Sequence, residues 1–159
     1  AGAARVIAID VGYGQLHPRL RSDGRVTVLE RVNARLLTEL PFTPNLVVCD
    51  VSFISVTKAL PPVLRLAAPG WTALVLVKPQ FEAGRADVAK GVVRDPAVQR
   101  DAIEGVIDAA RGWDAVVLGV VDSGLPGPKG NREFFVHLEH RPGEPHPHDS
   151  DRFVADAVG

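Results

Sequence analysis

Short apolar runs recur along the chain, and several of them end in a charged residue. The clearest are residues 46–49, followed by Asp50, and residues 71–77, followed by Lys78. Runs that are rich in β-branched residues and show no polar alternation predict strands buried on both faces. Similar runs end at Asp10 and Glu30, and two more cover 113–121 and 133–138. We therefore predict six strands.

Helical signals lie between these strands. The strongest predicts a helix over 96–111, with Asp95 as N-cap, Pro96 at the first position and Gly112 after the end. A second helix is predicted from Ser52 or Ser55 to about residue 68. Its middle is doubtful because Pro61 and Pro62 lie inside it, and an interior proline costs about 3 kcal/mol.

The remaining segments are predicted to be less regular. Residues 16–20 favour one helical turn, residues 31–40 a short helix or irregular crossover, and residues 81–95 a polar loop. From residue 141 the sequence is rich in Pro, His, Asp and Gly, which is typical of a mobile tail. We therefore predict one domain over residues 1–140 and a tail over 141–159.

Alternating strands and helices predict an α/β protein with a doubly wound sheet. The last two strands are joined by a loop without a helix, so we expect them to pair antiparallel. The final strand would then start at the sheet edge where the parallel strands end. This arrangement brings Glu133 to the edge that carries Asp50 and Lys78.

The composition is that of an ordinary soluble domain. The 159 residues are 46% hydrophobic and 23% charged, with a net charge of −1, so no global charge suggests a nucleic-acid or membrane binder. Cys49 is the only cysteine, which excludes a disulfide within the chain and fits a reducing compartment. No apolar run approaches the roughly 20 residues that cross a bilayer. We expect a cytoplasmic protein that does not enter membranes.

Asp50, Lys78 and Glu133 form the candidate catalytic set. In general, flanking carboxylates stabilise the charged form of a lysine and burial opposes it, so such a lysine can be tuned to act as a general base. The alternative is a cluster of ion pairs that closes the sheet.

Two acids near the start of the chain are candidates for ligand binding. In sheets that bind dinucleotides or adenosine, an acid in the position of Asp10 or Glu30 can accept hydrogen bonds from ribose hydroxyls. Asn33, just beyond, is a weaker candidate for contact with a base. The alternative is that strands end in acids simply because loops are polar.

The glycine-rich, basic segment 127–132 contains Lys129 and Arg132 and could hold a phosphate or an RNA backbone. A turn between two strands needs the same residue types, so that alternative stays open.

The histidines lack a cysteine or acid framework, and we predict no metal site. They are His137, His140, His146 and His148.

Four segments together resemble the hemolysin A-like (TlyA-type) branch of the FtsJ-like RNA methyltransferases. In order, they are residues 10–16 (DVGYGQL), 50–55 (DVSFIS), 76–82 (LVKPQFE) and 129–135 (KGNREFF). The resemblance covers roughly residues 2 to 139. It implies a Rossmann-like sheet that binds S-adenosylmethionine and has an antiparallel last strand.

The resemblance also implies an activity, the methylation of a ribose 2′-hydroxyl in ribosomal RNA or a ribosomal subunit. Lys78 would act as the base, with Asp50 and Glu133 orienting it. Asp10 would meet the ribose of the methyl donor, and Asp50 would lie close to the donor as well. The residues near the adenine would be Glu30, Arg31 and Asn33.

At the amino end, the family carries features that would precede this sequence. They are an S4-like RNA-binding domain, a first catalytic lysine, and a first strand with its glycine-rich donor loop. We therefore expect an N-terminally truncated fold in which the strands ending at Asp10 and Asp50 lack a shared neighbour. A second copy could complete such a site, which leaves a homodimer open.

Three competing interpretations remain. A non-catalytic fragment or binding module would have the same fold, and donor binding separates it from an enzyme. A nucleotide-dependent oxidoreductase would explain Asp10 but gives no reason for Lys78 and Glu133 to meet Asp50. A membrane-lytic protein finds no support, because the sequence has no amphipathic or spanning segment.

Overall fold

The computed structural model describes residues 2–84, 88, 91–144 and 150–159, so that His146 and His148 lie outside the described residues. Within these ranges the predicted α/β architecture is confirmed. The strands are β1 (Val6–Asp10), β2 (Val26–Glu30), β3 (Leu46–Cys49), β4 (Thr72–Val77), β5 (Ala115–Asp122) and β6 (Phe134–His140). The helices are α1 (Pro18–Arg21), α2 (Val56–Arg65), α3 (Pro79–Glu82), α4 (Pro96–Arg111) and α5 (Ser150–Val158).

The strands form two separate sheets. In the larger sheet the order is β3-β4-β6-β5, with β3 parallel to β4 and β6 antiparallel to both β4 and β5. The antiparallel pairing of the last two strands was predicted and is confirmed. Because β6 also lies beside β4, its first residues are adjacent to the end of β4.

The smaller sheet is the parallel pair of β1 and β2. A cavity of about 640 Å³ lies between β1 and β3, where residues of both strands and of α2 line it. On β3, Leu46 and Val48 are 58% and 68% exposed. As the resemblance leads one to expect, no strand of the described residues pairs with both β1 and β3.

The core lies between the larger sheet and the helices packed on it. Fully buried side chains come from the middle of the sheet and from one face of α4, including Val75, Val136, Leu138, Ile103 and Val106. Cys49 is buried in this core. In the described part of the chain, no helix has both the length and the apolarity to cross a membrane.

Helix α2 differs from the sequence prediction at its two prolines. It begins after Ser55, whose Oγ accepts a hydrogen bond from the Thr57 amide, and it continues through Pro61 and Pro62 without a break. Burial of Leu60, Pro62 and Leu64 offsets the lost backbone hydrogen bonds, since a large side chain gains about 1.5–3 kcal/mol on full burial. The doubt about the middle of this helix was therefore wrong.

The expected mobile tail is wrong for residues 150–158. They form α5, which buries Val154, Ala157 and Val158. The apolar positions 153, 154, 157 and 158 follow a helical period, and this pattern was hidden by the Pro- and His-rich sequence before it. The end of the chain is thus part of the packed domain.

Gly105 offers a test of the helix assignment. It lies exposed in α4, and no atom lies within 4 Å of the position that a Cβ would occupy. We expect Gly105→Ala to raise the free energy of unfolding by about 0.5–1 kcal/mol, because alanine loses less backbone entropy in a helix. Urea unfolding of the two proteins measures this difference, and a decrease would contradict a regular helix at residue 105.

Candidate active site

Lys78 and Asp50 meet where β3 and β4 end. The two strands are parallel neighbours, so the residues that follow them emerge side by side. Lys78 Nζ lies 2.6 Å from Asp50 Oδ1 and also donates a hydrogen bond to Ser52 Oγ at 3.3 Å. Lys78 is 8% exposed, whereas the Asp50 side chain is 63% exposed. The lysine therefore reaches from the interior to a carboxylate that solvent or a ligand can approach.

Glu133 lies one step across the sheet from this pair. Val77 pairs with Phe134 in the antiparallel ladder of β4 and β6, so the same register places Lys78 opposite Glu133. Among the described residues, however, no ion pair joins the two side chains, and Gln80 Nε2 instead donates to Glu133 Oε1 at 3.2 Å. The structure thus brings two members of the predicted set into contact and the third into the adjacent position.

Gln80 and Gly127 support Glu133, and the sequence prediction missed both. A Cβ on Gly127 would lie only 2.4 Å from Glu133 Oε1, so the absent side chain leaves room for the carboxylate. Gln80 Oε1 is buried and accepts no hydrogen bond from the described residues. Both residues lie within segments that carried the resemblance or the turn prediction, but their role depends on contacts between distant parts of the chain.

The loop after Asp50 presents an aromatic ring to solvent. Phe53 is 92% exposed, and its φ of 64° is in the left-handed region that non-glycine residues rarely adopt. Its ring centroid lies 5.2 Å from that of Phe81. A large exposed ring held in an unfavourable backbone conformation close to the ion pair is a candidate surface for a planar ligand group.

Glu82 ties the segment after Lys78 to the segment after Asp50. Its carboxylate accepts hydrogen bonds from Ser55 Oγ at 2.5 Å and from the Val56 amide at 2.8 Å, at the first turn of α2. Burial raises the pKa of the Glu82 carboxyl above its ordinary value of 4.5, while these two hydrogen bonds act to lower it. The sequence prediction placed residue 82 in a polar loop and gave it no role.

The raised pKa of Glu82 predicts a specific pH dependence of stability. The folded state binds this proton more tightly than the unfolded state, so the free energy of unfolding falls as pH rises from 4.5 through the raised pKa, and then levels off. We expect Glu82→Gln to remove this fall. Glu82→Ala should lower stability by about 1–2 kcal/mol throughout, because the α2 cap loses its acceptor.

Urea unfolding of the wild type and both variants between about pH 4 and pH 8 covers that window. Subtracting the Glu82→Gln curve from the wild-type curve cancels the groups that the variants share. An unchanged slope in Glu82→Gln would show that another group is responsible.

The acids at the ends of β1 and β2 lie side by side in the structure. Asp10 and Glu30 are direct neighbours in the parallel register. Asp10 is exposed, and its Oδ1 accepts a hydrogen bond from the Gly12 amide at 2.7 Å. Glu30 Oε1 instead accepts from the Gly14 amide at 2.6 Å and from the guanidinium of Arg21, which lowers the pKa of the Glu30 carboxyl. Asp10 is therefore the more available acceptor.

Arg31 and Asn33 have local partners in the structure. The Arg31 guanidinium lies 4.6 Å from the ring centroid of Tyr13, and the Arg31 backbone has a φ of 58°. Asn33 Oδ1 accepts a hydrogen bond from the Arg35 amide and so caps the 3-10 turn over residues 34–36. These contacts shape the loop after β2.

The two basic residues of the turn before β6 differ in their surroundings. Lys129 is exposed and has a φ of 59° in the 3-10 turn over residues 128–130. Arg132 forms an ion pair with Asp122 and donates to two backbone carbonyls of α5. Arg132 is therefore held by partners within the fold, and Lys129 lies at the exposed surface of the turn.

Comparison with known proteins gives the family. The model of the FtsJ-like methyltransferases matches residues 1–140. The chain belongs to this family. It is 48% identical over 142 residues to the 16S/23S rRNA (cytidine-2′-O)-methyltransferase TlyA of Mycobacterium tuberculosis, covering 86% of the chain and 52% of that protein.

Two further relatives extend this comparison. YqxC of Bacillus subtilis, described as an rRNA methyltransferase, is 46% identical over 147 residues, which are 90% of this chain and 52% of YqxC. A solved structure described as a hemolysin from Streptococcus thermophilus has a TM-score of 0.87 and 36% identity, covering 98% of this chain and 58% of that one. The chain thus spans about half the length of the curated relatives it matches. The predicted resemblance is confirmed.

Proposed function

We propose that this chain provides the donor-binding and catalytic part of an enzyme that methylates ribose 2′-hydroxyls in ribosomal RNA, with S-adenosylmethionine as methyl donor. The observation that carries the proposal is the Lys78–Asp50 contact at the sheet edge, with Glu133 in the adjacent register position. A relative with 48% identity is a 16S/23S rRNA (cytidine-2′-O)-methyltransferase. An oxidoreductase would not need a lysine paired with Asp50 and adjacent to Glu133 at this position.

The chemistry requires removal of a proton from the attacking hydroxyl. When bound, S-adenosylmethionine supplies the electrophilic methyl group. Before the reaction the ammonium of Lys78 must release a proton to solvent. The neutral Nζ then takes the proton of the 2′-hydroxyl, and the contact with Asp50 fixes the position of Nζ and stabilises the ammonium that forms. Glu133, which accepts a hydrogen bond from Gln80, lies in the register position opposite the lysine. Because these groups are held by neighbouring strands, they are oriented before the RNA arrives.

The residues at the ends of β1 and β2 fit a nucleoside donor. The Asp10 carboxylate is exposed and can accept hydrogen bonds from the two hydroxyls of a ribose. Tyr13, 66% exposed, provides a nearby ring, while Glu30 and Asn33 hold the two loops around it. In this proposal Asp10 binds the donor directly, and Glu30, Arg31 and Asn33 shape the adenine side.

Phe53 is proposed to stack on the base of the target nucleotide, since its exposed ring lies in the loop that follows Asp50. RNA-binding proteins commonly stack unpaired bases on aromatic rings, and each such contact contributes about 1–3 kcal/mol. We expect Phe53→Ala to weaken RNA binding roughly tenfold while donor binding is unchanged. Filter binding of ribosomal RNA measures this effect.

Val121→Ala is the matched control for Phe53→Ala, because Val121 is also exposed and apolar but lies on β5. Equal losses in both variants would show that Phe53 has no specific contact with RNA.

A second candidate is a non-catalytic module of the same fold, and the division of the sheet between β1 and β3 favours it. Asp10, the proposed donor ligand, lies on the smaller sheet, whereas Asp50 and Lys78 lie on the larger one. A cavity and the exposed apolar residues of β3 lie between the two sheets. Titration calorimetry of this chain with S-adenosylmethionine separates the candidates. Micromolar binding supports the enzyme, and absence of binding supports a module that needs a further strand.

Methyl transfer should be measured both with this chain alone and with its sequence placed inside a longer relative. We suggest assaying the chain itself beside a chimera in which it replaces the matching 147-residue region of YqxC. Ribosomal subunits and ribosomal RNA serve as substrates.

Sedimentation of the chain with and without the donor shows whether a homodimer forms.

A further inference from the structure

Arg132 makes three hydrogen bonds that connect two distant parts of the fold. Its Nε donates to Asp122 Oδ2 at 2.8 Å, at the end of β5. Its Nη1 and Nη2 donate to the carbonyls of Val158 and Ala157 at 2.7 and 2.9 Å, in the last turn of α5. These carbonyls have no partner within the helix, so the guanidinium caps α5 and its charge complements the helix dipole.

Helix α5 can hold this side chain in place because the helix is itself packed in the core. Val154 is fully buried, and Ala157 and Val158 are buried next to the capped carbonyls. The guanidinium carbon of Arg132 also lies 5.2 Å from the ring centroid of Phe134, which is fully buried. Arg132 is thus held on one face of the hairpin by packing, by charge and by hydrogen bonds.

The next residue along the chain is Glu133. The backbone here continues the β5–β6 hairpin, since Ser123 donates to the Glu133 carbonyl just beyond the paired residues Asp122 and Phe134. Successive side chains of an extended strand point to opposite faces. With Arg132 on the face of Phe134, Glu133 must point to the other face, where Gln80 donates to it.

We infer that Arg132 is a positioning residue, through which α5 fixes the orientation of Glu133. This inference rests on the proposed function, in which Glu133 borders the catalytic lysine. It assigns α5 a role in the chemistry, although the helix lies away from the reacting groups. We refer to Arg132, Asp122 and the α5 carbonyls together as the C-terminal clasp.

The test compares Arg132→Ala with Arg152→Ala, which removes an exposed arginine of α5 whose partner Asp156 is 3.7 Å away. Hydrogen exchange of the whole chain is followed by mass spectrometry, and methyl transfer to ribosomal RNA is measured in parallel. For Arg132→Ala we expect exchange over residues 123–133 to rise roughly tenfold. We also expect kcat to fall roughly tenfold with the donor KM unchanged. Arg152→Ala should change neither.

Arg132→Lys keeps the charge beside Asp122 but cannot reach both carbonyls in the same geometry, so we expect an intermediate effect. If Arg132→Ala does not fold, this variant carries the comparison. Faster exchange confined to residues 150–158, with an unchanged kcat, would overturn the inference and leave Arg132 as a helix cap only. If neither the wild-type chain nor its YqxC chimera transfers a methyl group, the proposed function fails, and exchange over residues 123–133 alone decides whether the clasp holds the turn.

Discussion

Replacing Lys78 by alanine should reduce methyl transfer by about 10²- to 10⁴-fold, the usual contribution of a positioned general base. The reason is that Lys78 Nζ, in contact with Asp50, is the group that we propose receives the hydroxyl proton. The fold should tolerate the change, because the Asp50 carboxylate that loses its partner is already largely exposed and stays hydrated. Donor affinity should stay within about twofold, since the lysine acts on the acceptor hydroxyl.

Single-turnover methyl transfer and donor titration on the same preparations separate these effects. Lys58→Ala is the matched control, because Lys58 lies exposed on α2 and should leave both quantities unchanged. A parallel loss of donor affinity and transfer in Lys78→Ala would identify a structural lysine and remove it from the mechanism.

Replacing Gly127 by alanine should lower kcat by about 10²-fold, although residue 127 carries no functional group of its own. The new methyl group would lie 2.4 Å from Glu133 Oε1 and 2.7 Å from its carboxyl carbon, so the carboxylate must move. Misplacement of a catalytic group by about 1 Å can cost this much. Gly127 has a φ of −70°, which alanine adopts without strain, so the backbone itself should accept the change.

Gly105→Ala is the control for this variant, because it adds the same methyl group where no atom lies within 4 Å. Thermal unfolding and steady-state kinetics of both variants give stability and kcat. A normal kcat in Gly127→Ala would show that the position of Glu133 does not matter for the reaction.

The sheet edge could be predicted because it depends on local signals and chain order. Apolar runs that end at Asp50 and Lys78 identify buried parallel strands, and parallel neighbours necessarily end at the same edge. The antiparallel return of the last strand followed from the short connection before Glu133. Its insertion beside β4, rather than at the outside of the sheet, follows from the register of distant strands, which no local pattern encodes.

The supporting residues could not be predicted, because their roles arise from tertiary contacts. The sequence predicts Glu82 to be an acidic residue of a polar loop, and only the fold brings it to the first turn of α2. The sequence predicts Arg132 to be a basic residue in a turn, and only the packing of α5 shows that its guanidinium caps that helix. Phe53 is apolar, and the sequence around it gives no sign that its ring remains exposed.

In the proposed function, this sheet edge directs the methyl group to a ribose 2′-oxygen. The most direct measurement is mass spectrometry of nucleosides from ribosomal RNA treated with the YqxC chimera and isotopically labelled S-adenosylmethionine. We expect label in a 2′-O-methylnucleoside, and its loss when the chimera carries Lys78→Ala. Label on a base, or label that persists on ribose without Lys78, would contradict the proposed function.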